Sequence, residues 1–215
     1  ASIYGGEGAD IITVAATNSS TLFLSGDKGN DNITATGVTK GGSVFGGTGN
    51  DEITVSGAAA ADAWAIDAGA GADDVTVGLG TDTITFERGD SVTATLNTPN
   101  AATDTTLTDG TVFTFANGVD TLTGFTTGTD SIDIDLTVPA AITNLNTDNL
   151  TDTLAATAIG EVKGTITGNT FSVLAAGADS LIIVGGGGEQ LSTLFTTNTN
   201  MFVSDGAALA IGDFS

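Results

Sequence analysis

Gly46-Gly47-Thr48-Gly49-Asn50-Asp51-Glu52-Ile53-Thr54 is the clearest of four related nonapeptides. The others are Gly5-Gly6-Glu7-Gly8-Ala9-Asp10-Ile11-Ile12-Thr13, Gly26-Asp27-Lys28-Gly29-Asn30-Asp31-Asn32-Ile33-Thr34 and Ala68-Gly69-Ala70-Gly71-Ala72-Asp73-Asp74-Val75-Thr76. Their aspartates, Asp10, Asp31, Asp51 and Asp73, stand 21, 20 and 22 residues apart. A period of that length marks a stacked repeat. A weaker fifth copy, Val77-Gly78-Leu79-Gly80-Thr81-Asp82-Thr83-Ile84-Thr85, follows at once, and Gly-x-Asp-x-aliphatic recurs at Asp120, Asp130 and Asp179.

The flanks share one plan. Ile3, Leu24, Val44 and Ile66 each lie two residues before a loop, and Ile12, Ile33, Ile53 and Val75 each lie nine residues further on. Alternation continues through Val14, Val55 and Val77, with Thr13, Thr54 and Thr76 facing the other way. Apolar residues at period 2 indicate strands with one buried face. Each unit therefore reads as strand, Gly-rich turn, strand, with a looser return loop. A lone pair of such strands cannot bury its apolar face, so the coils must stack. The expected fold is all-β: a right-handed parallel β-roll, or β-solenoid, with a β-rich C-terminal cap. Its expected divisions are the roll at 1–90, a degenerate repeat and roll cap at 91–137, and a β-rich region at 138–215.

Composition narrows the function. Of 215 residues, 40% are hydrophobic, enough for a real core. The chain carries 26 Asp and Glu against 4 Lys and Arg, for a formal charge of -22. Such a surface cannot neutralise phosphates, which excludes nucleic acid and anionic membranes as partners. With neither Cys nor His, disulfides, structural zinc and His-based catalysis are also excluded. All the acidic residues except Glu7, Glu52, Glu87, Glu161 and Glu189 are Asp, the residue of turns and hard-cation sites. The longest apolar run, Ala207–Ile211, is far below a membrane span, so no transmembrane segment is expected, and no Sec-type signal peptide is visible.

Stacked Gly-rich turns bring backbone carbonyls and one carboxylate per turn to a shared gap. About six hard oxygens in such a gap describe a Ca²⁺ site. The loops resemble the Gly-Gly-x-Gly-x-Asp-x-aliphatic-x nonapeptides of the RTX calcium-binding family, β-rolls of proteins exported by type I secretion. The resemblance covers residues 1 to about 90 and departs from the pattern at Asp27, Ala68 and Val77. It implies Ca²⁺ held by loop carbonyls and sixth-position aspartates. Those are Gly5, Gly6, Gly8 and Asp10; Gly26, Asp27, Gly29 and Asp31; Gly46, Gly47, Gly49 and Asp51; Gly69, Gly71 and Asp73; and Gly80 and Asp82. Asp120, Asp130 and Asp179 have thinner Gly context, and a second calcium row is expected only near Asp82.

Further on, Asn117–Phe125 and Gly128–Leu136 resemble the segment that closes many RTX rolls, with Phe113, Phe115 and Phe125 expected to fill the end. Strand-like runs follow at Val162–Thr167, Thr170–Leu174, Leu181–Val184 and Met201–Val203. Mild helical character is expected at Leu191–Phe195 and around Leu150–Ile159. The tail Ala207–Ser215 is similar to uncleaved type I export signals, a buried last strand being the alternative. No His-Glu-x-x-His or Gly-x-Ser-x-Gly motif points to an enzyme, and Arg88 beside Glu87 reads as a surface pair. The expected function is a secreted, calcium-dependent structural protein, a surface-layer or filament subunit. Its expected partners are copies of itself and cell-surface polysaccharide. The alternatives are an export module of a larger exoenzyme or adhesin and, more remotely, an ice-binding solenoid whose outward rank is Thr13, Thr34, Thr54, Thr76 and Thr85. An upstream segment or a second subunit is expected to cover the N-terminal coil.

Overall fold

A computed structural model describes residues 1–15, 20–87, 90, 94–97, 106–116, 118–134, 141–146, 148–155, 158–184, 188, 190–194 and 201–215. Arg88, Asn117, Asp135, Leu136 and Phe195, used in the sequence reading, lie outside them. The described residues are nearly all β and wind into a β-solenoid of about six turns with parallel sheets. The first sheet runs β1 (Ser2–Glu7), β3 (Leu22–Lys28), β5 (Gly42–Thr48), β7 (Trp64–Ala70), β9 (Thr83–Phe86) and β13 (Ser131–Ile134), all parallel. The second sheet stacks β2 (Ile11–Ala15), β4 (Asn32–Val38), β6 (Glu52–Gly57), β8 (Asp74–Thr76) and β12 (Asp120–Thr123), also parallel.

Alternation in the sequence becomes two facing columns of side chains. Ile3, Leu24, Val44, Ile66, Ile84 and Ile132 are in register along the first sheet. Ile12, Ile33, Ile53, Val75 and Leu122 are in register along the second. All but Ile3 are buried, and each such side chain removed from water contributes about 1.5–3 kcal/mol. The strands run further into the repeat than the alternation indicates. β1, β3, β5 and β7 continue through the first three motif positions, leaving three-residue corners such as Gly8–Asp10 and Gly49–Asp51.

The second sheet does not stop at the last repeat. β18 (Met201–Asp205) pairs parallel with β12. The antiparallel strands β17 (Asp179–Val184), β15 (Ala158–Thr167), β16 (Thr170–Val173), β11 (Val112–Phe115) and β10 (Ala94–Asn97) then extend the same sheet, with β14 (Ala141–Asn144) parallel to β15. Phe113 and Phe115 accordingly pack in a second core with Phe171, and do not fill the coil as expected. The coil end is filled by Phe86, stacked on Phe202 at 4.2 Å, and by Phe125 and Phe214. The tail packs there: a 3-10 turn at Ile211–Asp213 leads to Phe214, which bridges Ile132.

A helix forms at Leu191–Leu194, as expected, but residues 150–152 around Leu150 form a turn and bend. There Asp152 accepts the Asn149 N–H at 2.8 Å, a side-chain turn that competes with helix. The outward threonines also differ: Thr13, Thr34, Thr54 and Thr76 are in register with Thr123, whereas Thr85 lies on the other sheet. No helix among the described residues is long and apolar enough to cross a membrane.

Candidate metal centre

At the Gly-rich corners the sixth-position aspartates turn inward and stack. Asp31 Oδ1 accepts the Asp10 N–H at 2.7 Å, Asp51 Oδ1 the Asp31 N–H at 2.8 Å, and Asp73 Oδ1 the Asp51 N–H at 2.7 Å. Asp120 Oδ1 continues the row by accepting the Asp73 N–H at 3.0 Å. A second row occupies the opposite corner: Asp82 Oδ1 accepts the Trp64 N–H, and Asp130 Oδ1 the Asp82 N–H, each at 3.0 Å. Each carboxylate thus uses one oxygen to pin the neighbouring coil.

The second oxygens divide the aspartates into two kinds. Oδ2 of Asp10, Asp31, Asp51, Asp73 and Asp82 is buried and accepts no hydrogen bond. At Asp130 it accepts the Thr126 N–H at 2.8 Å. Asp179 spends both oxygens on the Ile166 and Gly206 N–H groups, at 2.8 and 3.2 Å. Asp213, absent from the sequence reading, spends both on Gly128 and Ala210, at 2.9 and 2.7 Å. Its only sequence signal is Gly212-Asp213-Phe214, a repeat fragment lacking the spacer residue.

Beside the orphaned oxygens of Asp10, Asp31, Asp51 and Asp82 stands a Gly at which a side chain would collide. A methyl on Gly5 would stand 2.7 Å from the Gly26 carbonyl oxygen and 2.8 Å from Asp10 Oδ2. On Gly26 it would stand 2.6 Å from the Gly46 oxygen and closer still to Asp31 Oδ2, and on Gly46 2.6 Å from Asp51 Oδ2. At Gly80 the neighbours are Asp82 Oδ1 at 2.7 Å and the Asp62 carbonyl oxygen at 2.8 Å. One carboxylate and one carbonyl from the adjoining coil therefore converge at each point. Among the described residues no three carboxylates gather, so a cation here would rely on carbonyls as well. That donor set, all oxygen and rich in backbone carbonyls, fits Ca²⁺. Asp10 with Gly26, Asp31 with Gly46, Asp51 with Ala68, and Asp82 with Asp62 would hold it.

Other expected site residues do different work. Asp27, standing where other copies have Gly, takes φ 72°, and its exposed carboxylate accepts the Ser25 hydroxyl at 2.5 Å. The fourth-position glycines let coils touch: a side chain on Gly29, Gly49 or Gly71 would collide with the carbonyl of Gly8, Gly29 or Gly49. Gly47 and Gly69 meet the carbonyls of Asp27 and Gly47 in the same way, while Gly6 and Gly8 face open space.

Three members of the rows, Asp51, Asp73 and Asp82, resist ionisation. Burial, opposed by the Asp51 N–H and reinforced by Asp120, Asp51 and Asp90, pushes Asp73 up to about 8. Burial and the charge of Asp130 push Asp82 up to about 6, and burial with Asp31 raises Asp51. Like charges one coil apart repel by roughly 3 kcal/mol at an effective dielectric of about 20. Protonation or a dication relieves that repulsion. In comparison with known proteins, no family model matches the chain and no curated protein is significantly similar.

Proposed function

We propose that this chain is an extracellular structural protein whose coil folds on Ca²⁺ and assembles with copies of itself into a filament or surface layer. The observation that carries the reading is the set of five buried, unpartnered carboxylate oxygens, three of them, on Asp10, Asp31 and Asp51, set against Gly5, Gly26 and Gly46 where no side chain would fit. The likeness of the loops to RTX nonapeptides supports it and suggests type I export in a low-calcium, unfolded state. Bound Ca²⁺ supplies the charge that lets adjacent coils close, and the Asp Oδ1 atoms then fix their register.

Ile3 is 38% exposed although its counterparts Leu24 and Val44 are fully buried, so the inward column is open to another coil there. A second copy would continue it; in the alternative, export-module reading, preceding sequence would. Ice binding is disfavoured, since Glu52 and Asp74 flank the threonine column and Gly168 and Ile166 wall it on one side. A catalytic role is not proposed: Ser180, 2.7 Å from Lys163 Nζ, is fully buried, and Glu161 holds that ammonium at 2.7 Å.

Sedimentation at rising Ca²⁺ tests assembly. Polymerisation in millimolar Ca²⁺, blocked by Ile3→Asp with the fold intact, is expected. A folded, calcium-loaded monomer at high concentration would favour the export-module reading.

A further inference from the structure

The outer face of the first sheet carries a band unlike the rest of the surface. Tyr4, Phe23 and Phe45 lie on three successive strands with ring centroids 5.5 and 5.3 Å apart, tilted to one another. Tyr4 is 62% and Phe45 37% exposed, on a chain that buries most of its other described aromatics. The rings alternate with hydroxyls: the register places Ser2 beside Phe23, Phe23 beside Ser43, and Ser25 between Tyr4 and Phe45. Along the same column the band then turns polar, through Asp67 and Thr85 to Asp133. Thr85, Glu87, Asp133 and Ile134 line a groove of about 360 Å³ at that end.

We propose that this band binds a neutral polysaccharide laid along the solenoid axis. A pyranose ring offers an apolar C–H face that packs on an aromatic ring and a rim of hydroxyls that donate to carboxylates. The band supplies those complements in sequence, rings first and acceptors after. Six strands about 4.8 Å apart give it the length of several sugar units. Charge decides against an acidic polymer: the column carries Asp67 and Asp133 and no cation, on a chain of formal charge -22. A protein partner would favour apolar contact throughout, which the Asp67–Asp133 half does not offer. The inference rests on the extracellular placement proposed above and gives the assembly a means of attachment.

Native electrophoresis of the whole chain in Ca²⁺, through gels containing hydroxyethylcellulose, galactomannan or carboxymethylcellulose, tests it. Retardation by a neutral polymer, and not by the carboxymethylated one, is expected. Phe45→Ser should weaken it about tenfold, as the loss of one stacking ring implies. Asp133→Asn should weaken it less, and Leu79→Ser, at an exposed apolar site elsewhere, should leave it unchanged. Circular dichroism on the same samples reads folding and calcium response separately. A folded, calcium-responsive chain that no neutral polymer retards would overturn the inference and leave the structural reading standing. A chain indifferent to Ca²⁺ yet retarded would do the reverse. If Phe45→Ser unfolds, Asp133→Asn decides; if it abolishes self-association while the wild type shows no retardation, the band is a contact between copies and the inference fails.

Discussion

At Asp51 one carboxylate oxygen accepts the Asp31 N–H and the other accepts nothing; at Asp130 both are taken. Both residues sit in Gly-x-Asp-x-Ile, so the short motif does not separate them. The difference lies in the backbone that follows Phe125. There the backbone closes a turn, Asp130 N–H to Thr126 carbonyl, and presents the Thr126 N–H to Oδ2. Asp51→Asn should therefore raise the melting temperature of the metal-free chain, by removing a buried charge, and lower the calcium stoichiometry. Asp130→Ala should cost about 1–3 kcal/mol for each stranded N–H without changing stoichiometry. Calorimetry and thermal melts on both variants check this; equal calcium losses would contradict it. The raised pKa values give a sign for pH. The folded chain holds protons on Asp73 and Asp82 that the unfolded chain releases near 3.8, so metal-free stability is greatest at or below that pH. It should fall as pH rises through about 6 and about 8. Melts of dialysed protein across that range check this, and a flat profile would count against the buried rows.

At the scale of elements, alternation located the coil strands and the Gly motif located their corners. It placed the corners too early, because a Gly with free φ extends as readily as it turns. Gly26 is in β3, with its missing side chain occupied by the Asp31 carboxylate and the Gly46 carbonyl. Gly26→Ala should consequently reduce both stability and calcium stoichiometry, read by the same calorimetry, whereas Gly37→Ala, with open space, should leave stoichiometry unchanged. The pairing of β12 with β18 was not legible, since nothing local in Met201–Asp205 specifies a partner about eighty residues earlier. That pairing brings Phe202 flat onto Phe86. Phe202→Ala should cost about 3–5 kcal/mol by leaving a cavity where coil meets cap. Denaturant unfolding checks the figure; a loss under 1 kcal/mol would mean that the stacked pair does not join them.

Over the whole molecule, one continuous sheet links the first coil to the C-terminal strands, while 26 acidic residues against 4 basic ones oppose its closure. The repeat period disclosed the solenoid. The second aspartate row beyond Asp82 escaped the sequence reading, because Asp130 and Asp213 arrive from segments separated by long excursions of the chain. The central claim is that a cation is needed to close the carboxylate rows at neutral pH. It is tested most directly by the circular dichroism spectrum and melting temperature of the intact chain, first in excess chelator and then in Ca²⁺. The account predicts a largely unfolded spectrum in chelator, and a β-spectrum with a cooperative melt once Ca²⁺ is added. An unchanged β-spectrum and melting temperature in chelator would contradict it.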